Sequence, residues 1–460
     1  MRVPYFKQFN TSLYWNLIDS VGTQILLLVH HLLVRSFLGS SFHGSFSCLL
    51  SLLYLGITLF NFGFDTSLAP FLTTIISSKQ QFSKLVKYYI GSQSLILLVS
   101  ALLAALFFLF LSTIPVFDVP LYTLFGYTFL CESAKKTAKS FLQLNFLNKT
   151  TALVEVLGML GYLLFFWATY YQGFLTTTVH TWVILGFIST GQALTLLFRC
   201  YTIYKHLPKE NLSAHTPELL SLKALTKIRF FTFSNQMVVQ LFSGNFLVPL
   251  CALRLGSQQA SFLKIVTSFS QILSTVAQKV FGIASNAVFA HLTDKPLEER
   301  RATFSTLSYK LHQALYVLGI FLVINIQVLI RAYQHWHLGG DISLTSWASV
   351  YVFLILSFIE SFFALYERWY TVEKKAHIFF IFNLLSFIVL YITLPYMSLG
   401  KLFFSILVGV RLGMFLALSG FSFYYWNIKP TFKLEKKLLI YTIVVSFLFN
   451  SVTKIASTLL

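Results

Sequence analysis

The sequence is short of charge. Only 11 % of its 460 residues are Asp, Glu, Lys or Arg, where a soluble chain carries about 25 %. Hydrophobic residues make up 56 %. A water-facing fold cannot absorb that much apolar surface, so lipid must be the main solvent. The four cysteines, Cys48, Cys131, Cys200 and Cys251, stand singly in or beside apolar runs, which excludes a disulfide framework and a zinc spacing. No Gly-rich phosphate loop, HExxH or GxSxG is present. No small-residue cleavage site follows the first apolar run, so that run is expected to stay in the mature protein.

What is present is a series of apolar runs. A spanning helix needs roughly 20 mainly apolar residues, and that rule predicts spans near 13–34, 46–70, 90–111, 120–141, 152–171, 180–198, 230–253, 262–288, 311–330, 346–366, 377–397 and 402–425, with a thirteenth near 438–457. The runs at 120–141 and 262–288 are the most polar and are expected to line an interior. The fold class is therefore all-α, a polytopic membrane protein.

The placement of basic residues supports this map. Cytoplasmic loops are rich in Lys and Arg. With the N-terminus inside, 26 of the 34 basic residues fall on the inner side, six outside, and Lys279 and Arg411 within the membrane. The net charge of +19 thus reflects topology and headgroup attraction and gives no reason to expect nucleic acid. External loops are short. The longest loop is internal, residues 199–229, with Pro208, Pro217 and a short surface helix expected over "PELLSLKALTKI". It divides the chain into a six-helix lobe (1–205), a linker (206–228), a second six-helix lobe (229–426) and an additional C-terminal helix (427–460).

Two loops nearly repeat. "VRSFLGSSFHGSF" (34–46) follows the first span and "ALRLGSQQASF" (252–262) follows the seventh. Both give an Arg, then Leu-Gly-Ser, then a small residue and Ser-Phe. Six helices separate them, and an even number keeps the orientation, so this reads as a parallel repeat about an axis along the membrane normal, with a cleft between the lobes. The plain alternative is a recurring Gly C-cap.

The stretch "LLVRSFLGSSFHGSFSCLLSLLYLGITLFNFGFDTSLAPFL", with Arg35, Leu38, Gly39, Gly44, Phe46, Phe62, Gly63 and Ala69 at the matching places, resembles the opening of the polysaccharide-transport branch of the MOP exporter superfamily, the Wzx-type oligosaccharide flippases. "NFLVPLCALRLGSQQASFLKIVTSFSQIL" resembles that family's passage from helix 7 to helix 8. The resemblance implies two six-helix lobes that move a polyprenyl-diphosphate-linked oligosaccharide between leaflets by alternating access. It also implies drive from an ion gradient (H+ or Na+), with no cofactor and no bond made or broken. It places the chain in the cytoplasmic membrane of a bacterium, N-terminus inside, as an expected monomer. Asn245 stands where many members carry an acid, and "ASNAVFAHL" lacks their Pro.

Charges inside a bilayer are costly and mark functional candidates. Lys279 and Arg411 either line the cleft and attract diphosphate or pair with an acid such as Glu360 and brace the second lobe. Arg35, Arg254 and Lys264 are placed at the outer mouth, the two arginines as repeat partners; they hold the diphosphate or sugar, or they contact headgroups. Asn235, Gln236, Gln240 and Asn245 make a polar stripe on helix 7, suited to sugar hydroxyls or to helix–helix contact. Asp19 borders a polar face formed by Asn16, Ser20, Thr23 and Gln24 and is a candidate for ion coupling, with Glu360, Asp65 and Glu155 beside it. Glu132 is expected to pair with Lys135 or Lys136. His30, His31 and the His335-Trp336-His337 group read as interfacial residues, and no metal is expected. Two other functions are weighed. A multidrug or small-solute cation antiporter of the same superfamily would want acids in the cleft and few bases. A membrane glycosyltransferase or polymerase would need an acid-bearing external loop, whereas only Asp118 and Asp341 fall outside.

Overall fold

The computed structural model describes residues 6–110, 119–173, 178–209, 220–240, 244–293, 295–335, 344–393, 401–428, 437–440 and 442–446. Among them every regular element is helical. Each predicted span has its helix. Helix 1 (residues 6–38) and helix 2 (residues 40–61) are followed by helix 3 (Lys79–Phe110), helix 4 (Val119–Leu144), helix 5 (Asn148–Tyr171) and helix 6 (Thr178–His206). The second set is helix 7 (Leu222–Gln240 and Gly244–Leu255), helix 8 (residues 257–291), helix 9 (Leu297–His335), helix 10 (Leu344–Val372), helix 11 (Ala376–Thr393) and helix 12 (Lys401–Trp426). Of the expected thirteenth span, an apolar helix is described over Lys437–Ser446, and the rest lies outside the described residues.

Burial is arranged for lipid. Leu98, Leu164, Phe187, Phe198, Leu416 and Tyr424 are exposed, while Asn16, Asp19, His30, His31, Arg229 and Arg411 are buried. Water-facing folds do the reverse. Among the described residues three stretches, Lys7–Asn61, Asn148–Tyr171 and His180–His206, are each long and apolar enough to cross a bilayer, and the two pieces of helix 7 make a fourth if counted as one bent span.

Several expectations are corrected. The loop at 34–46 is reduced to one residue. Backbone hydrogen bonding runs as helix from Thr23 to Asn61, yet Gly39 takes φ 84° and ψ 163°. The chain folds back there, because His31 Nδ1 lies 3.0 Å from His43 Nε2, whereas twelve residues of straight helix would part them by about 18 Å. Gly256 does the same between helices 7 and 8, with φ 90°. With the two glycines as origin, Arg35 lies four residues before its turn and Arg254 two before, so the arginines are not equivalent in the repeat.

Helix 2 ends at Asn61, where Phe62 and Gly63 both adopt left-handed φ, and the chain continues to Ile75 in short helical pieces. Helix 7 is interrupted, and its two pieces are bent by 54°. The polar stripe therefore does not run along one straight face: Gln240 closes the first piece and Asn245 opens the second. The surface helix expected over "PELLSLKALTKI" is, from Leu222 on, the start of helix 7 itself.

The two turns meet. Gly44 packs so closely on Ser257 that an added Cβ would lie inside the contact shell of the Ser257 carbonyl. Ser41 Oγ is 3.4 Å from Ser257 Oγ, and His43 Nδ1 is 2.8 Å from Ser261 Oγ. Residues 34–46 and 252–262 thus share one end of the bundle, the turn end, as the parallel repeat requires. At the other end, Phe9 meets Phe281 edge-on at 6.4 Å and Phe146 stacks on His291 at 5.1 Å.

Candidate functional site: two facing π-turns and a buried chain of charges

Helix 1 widens into a π-turn over Ile18–Gly22, and helix 8 does so over Val276–Phe281. Single π-turns within α-helices are rare and cluster at functional sites. Here the two turns pack against each other across the lobes. One carries Asp19 and the other Lys279. Asn16, one turn before Asp19, donates its Nδ2 to the Val280 carbonyl at 3.3 Å and ties the two elements together.

Behind Asp19 lies a chain of charges on helices 1, 4 and 5, with neutral polar partners on helix 6. Lys139 Nζ contacts Asp19 Oδ2 at 2.8 Å and Glu155 Oε1 at 3.0 Å. Lys135 Nζ contacts Glu155 Oε2 at 3.4 Å and Glu132 Oε1 at 2.7 Å. Ser189 Oγ donates to Glu132 at 2.6 Å, and Lys135 also donates to Gln192 Oε1 at 3.1 Å. Asp19 is 2 % exposed. Three carboxylates share two ammonium groups, so the chain holds one surplus negative charge. Lys136 does not join it, but reaches Asp65 at 3.5 Å. Glu132 and Lys135 pair as the helix spacing requires.

Lys279 faces this chain from the second lobe. Asp19, Glu155, Lys139 and Lys136 all act on it electrostatically. Protein surrounds the residue, yet its side chain is exposed, so it stands at an opening between helices. It forms no ion pair among the described residues.

The other predicted residues divide. Arg411 is 3 % exposed, donates to Glu360 Oε1 at 3.0 Å and to Asn383 Oδ1 at 2.8 Å, and lies over the Phe363 ring. It braces helices 10, 11 and 12, with Glu360, whose side chain is 29 % exposed, as its counter-charge. Asn383 donates on to Asn235, which donates to Glu367 Oε1 at 3.4 Å. Lys264 lies about two turns into helix 8 from Gly256 and is buried, 6 % exposed. Arg35 is half-buried beside the turn, and the Arg254 side chain lies outside the described residues. Asn245 is half-buried and stands apart from the π-turns. His30 and His31 are fully buried, not interfacial: His30 Nε2 is 3.3 Å from the Tyr162 hydroxyl and His31 bonds His43. No group of three metal-binding side chains occurs among the described residues. Of His335-Trp336-His337, Trp336 and His337 lie outside them.

Sequence reasoning placed Lys135 only as a partner of Glu132 and missed Lys139, although Glu132, Lys135 and Lys139 recur at helical spacing within one polar span. It also missed Arg229. That side chain is 1 % exposed, donates to the Phe62 carbonyl at 3.0 Å, the Asn61 carbonyl at 3.2 Å and Ser92 Oγ at 2.7 Å, and lies between the rings of Phe62, Phe64 and Tyr88. It fastens helix 7 to the left-handed end of helix 2.

The fold is similar to that of solved transporters. A structure described as the eukaryotic MATE transporter AtDTX14 superposes with a TM-score of 0.66 over 90 % of this chain and 94 % of that one, at 14 % identity. A MATE structure in the bent conformation superposes with a TM-score of 0.61 over 92 % and 95 %, at 13 % identity. No protein family and no curated protein matches the sequence itself. The chain is thus an all-α polytopic membrane protein with the fold of MATE transporters.

Proposed function

We propose that this protein is a membrane exporter of the MOP superfamily that works by alternating access, with the facing π-turns of helices 1 and 8 as the place where cargo and coupling ion are exchanged. The lobes divide at residues 1–205 and 229–426, joined by 206–228, with 427–460 appended. The turn end faces outward and the N-terminus inward. Fold similarity to MATE transporters supports transport over catalysis. The observation that carries the reading is Lys279: an exposed cation, without an ion pair among the described residues, opposite a buried chain holding one surplus negative charge. An exposed ammonium without an ion pair suits an anion. The cargo that best combines an anion with a hydrated head and a tail left in the bilayer is a polyprenyl-diphosphate-linked oligosaccharide, as the sequence resemblance implies. Asp19, released from Lys139, would take up the coupling ion, H+ or Na+.

The surplus carboxylate favours a second reading, a multidrug or small-solute cation antiporter of the same superfamily. Reconstituted vesicles separate the two. With a fluorescent diphosphate-linked oligosaccharide lipid, wild type should show flipping that depends on an ion gradient. Lys279→Gln should slow it roughly tenfold or more, since a charged hydrogen bond is worth about 1.5–3 kcal/mol, and Lys279→Arg should retain it. A wild type that expels a cationic dye and leaves the lipid in place would overturn the flippase reading and establish the antiporter.

A further inference from the structure

The π-turns leave unexplained a second polar group, buried at the turn end. His31 (helix 1), His43 (helix 2) and Ser261 (helix 8) form a continuous chain of hydrogen bonds from one lobe to the other, His31 Nδ1 to His43 Nε2 at 3.0 Å and His43 Nδ1 to Ser261 Oγ at 2.8 Å. All three residues are 0 % exposed. Ser47 Oγ lies 3.3 Å from the same His43 Nε2. The chain lies directly beneath the close contact of Gly44 with Ser257.

The arrangement fixes the protons. A bond between two imidazole nitrogens needs one donor and one bare acceptor. If His31 Nδ1 donates, His43 Nε2 is bare and His43 Nδ1 donates to Ser261. His31 Nε2 is then also bare, and it is the nitrogen with no partner in the interior. The opposite choice would bury an unpaired N–H at that position, which costs more than an unpaired acceptor lone pair. Each ring is therefore neutral. An added proton has two places to go. On His43 Nε2 it sets N–H against N–H and breaks the bond to His31. On His31 Nε2 it creates a buried cation with no acceptor.

The surroundings oppose either outcome. The groups acting on the two rings are Lys264 from helix 8, Arg35 from helix 1, and His30, itself bonded to Tyr162 of helix 5. All the charged groups among them are basic. No carboxylate of the described residues acts on either ring.

We infer that the His31–His43 pair is a proton-binding site that controls the turn-end contact between the lobes: the contact is made while both rings are neutral, and one proton taken up by the pair releases it. The proton adds to a ring nitrogen lone pair, the His31–His43 bond is lost, and the charge left beside Lys264 and Arg35 drives helices 2 and 8 apart. If the turn end faces outward, acid outside opens the exit. This rests on the alternating-access reading for the motion but on neither choice of cargo.

Nitroxides at Ser41 and Gln258, both exposed, report the contact without any transport assay. In cysteine-substituted protein held in nanodiscs, the spectrum should show strong dipolar broadening at about pH 8 that persists through about pH 6.5, where a free histidine changes charge, and is largely lost by about pH 4, because the buried, basic surroundings oppose the added charge. His43→Gln keeps donors and acceptors but cannot titrate, and should retain the broadening throughout. His31→Gln serves the same purpose if the first variant fails to fold. Broadening that is independent of pH with both histidines present, or a pH response that survives both variants, overturns the inference. Transport that persists with a pH-silent contact would leave the exporter reading standing.

Discussion

Gly39 and Gly256 turn the chain with the same hand, φ 84° and 90°, at equivalent points of two half-molecules, and the residues that follow them touch. An L side chain at so positive a φ costs roughly 1–3 kcal/mol. Gly39→Ala and Gly256→Ala should therefore each lower the thermal stability of the detergent-solubilised protein. Gly91→Ala, on helix 3 with nothing within 4 Å, should leave it unchanged or raise it, since Gly weakens a helix interior by about 0.5–1 kcal/mol. Equal losses at all three positions would remove the special role of the turns.

Gly44 lets helix 2 approach the Ser257 backbone. Gly44→Val should hold the turn end apart, and a thiol placed at Ser261, buried in the closed contact, should then react with a water-soluble maleimide many times faster than with Gly44 intact. Unchanged reactivity would mean that the lobes separate elsewhere.

Arg411 and Glu360 form a pair within the second lobe. Removing one partner of a buried pair costs about 3–5 kcal/mol, while replacing both with apolar residues is far milder. Arg411→Met should cut the amount of folded protein in membranes, and the double variant Arg411→Met with Glu360→Met should recover most of it. A double variant no better than the single one would show that Arg411 acts through something other than Glu360.

The ledger of the first-lobe chain makes a signed prediction. Lys139→Met leaves three carboxylates with one ammonium group and should destabilise strongly. Asp19→Asn leaves two of each and should be tolerated for folding while abolishing ion-coupled transport. Combining them should restore part of the stability lost with Lys139→Met. Melting temperatures of the three variants decide the matter, and an Asp19→Asn protein as unstable as Lys139→Met would refute the surplus-charge account.

The spans were legible because each is a run of apolar residues bounded by polar ones, a local property. The repeat was legible because Leu-Gly-Ser recurs, and the left-handed turn that glycine permits was implied by the residue type. The partners were not. Lys139 reads as one more basic residue near a cytoplasmic loop, and only the approach of helices 1 and 5 to helix 4 makes it the centre of a chain. Arg229 sits among loop lysines in the sequence, and nothing local says that the carbonyls of Asn61 and Phe62 will be left open to receive it. The π-turns at Ile18–Gly22 and Val276–Phe281 carry no distinctive composition, and their meeting is a matter of long-range packing. Arg411 with Glu360 was legible as an alternative, because two opposite charges deep in apolar helices have few other partners.

A half-molecule with an even number of crossings can be duplicated without reversing its copy, and fusion then needs only a connecting segment. Counted from the two turn glycines, His43 corresponds to Ala260 and Gly44 to Ser261. The two halves therefore differ at the very spot where they touch: one holds the ring, the other the hydroxyl that receives it, so neither half alone, doubled by symmetry, would reproduce the lock that the joined chain possesses.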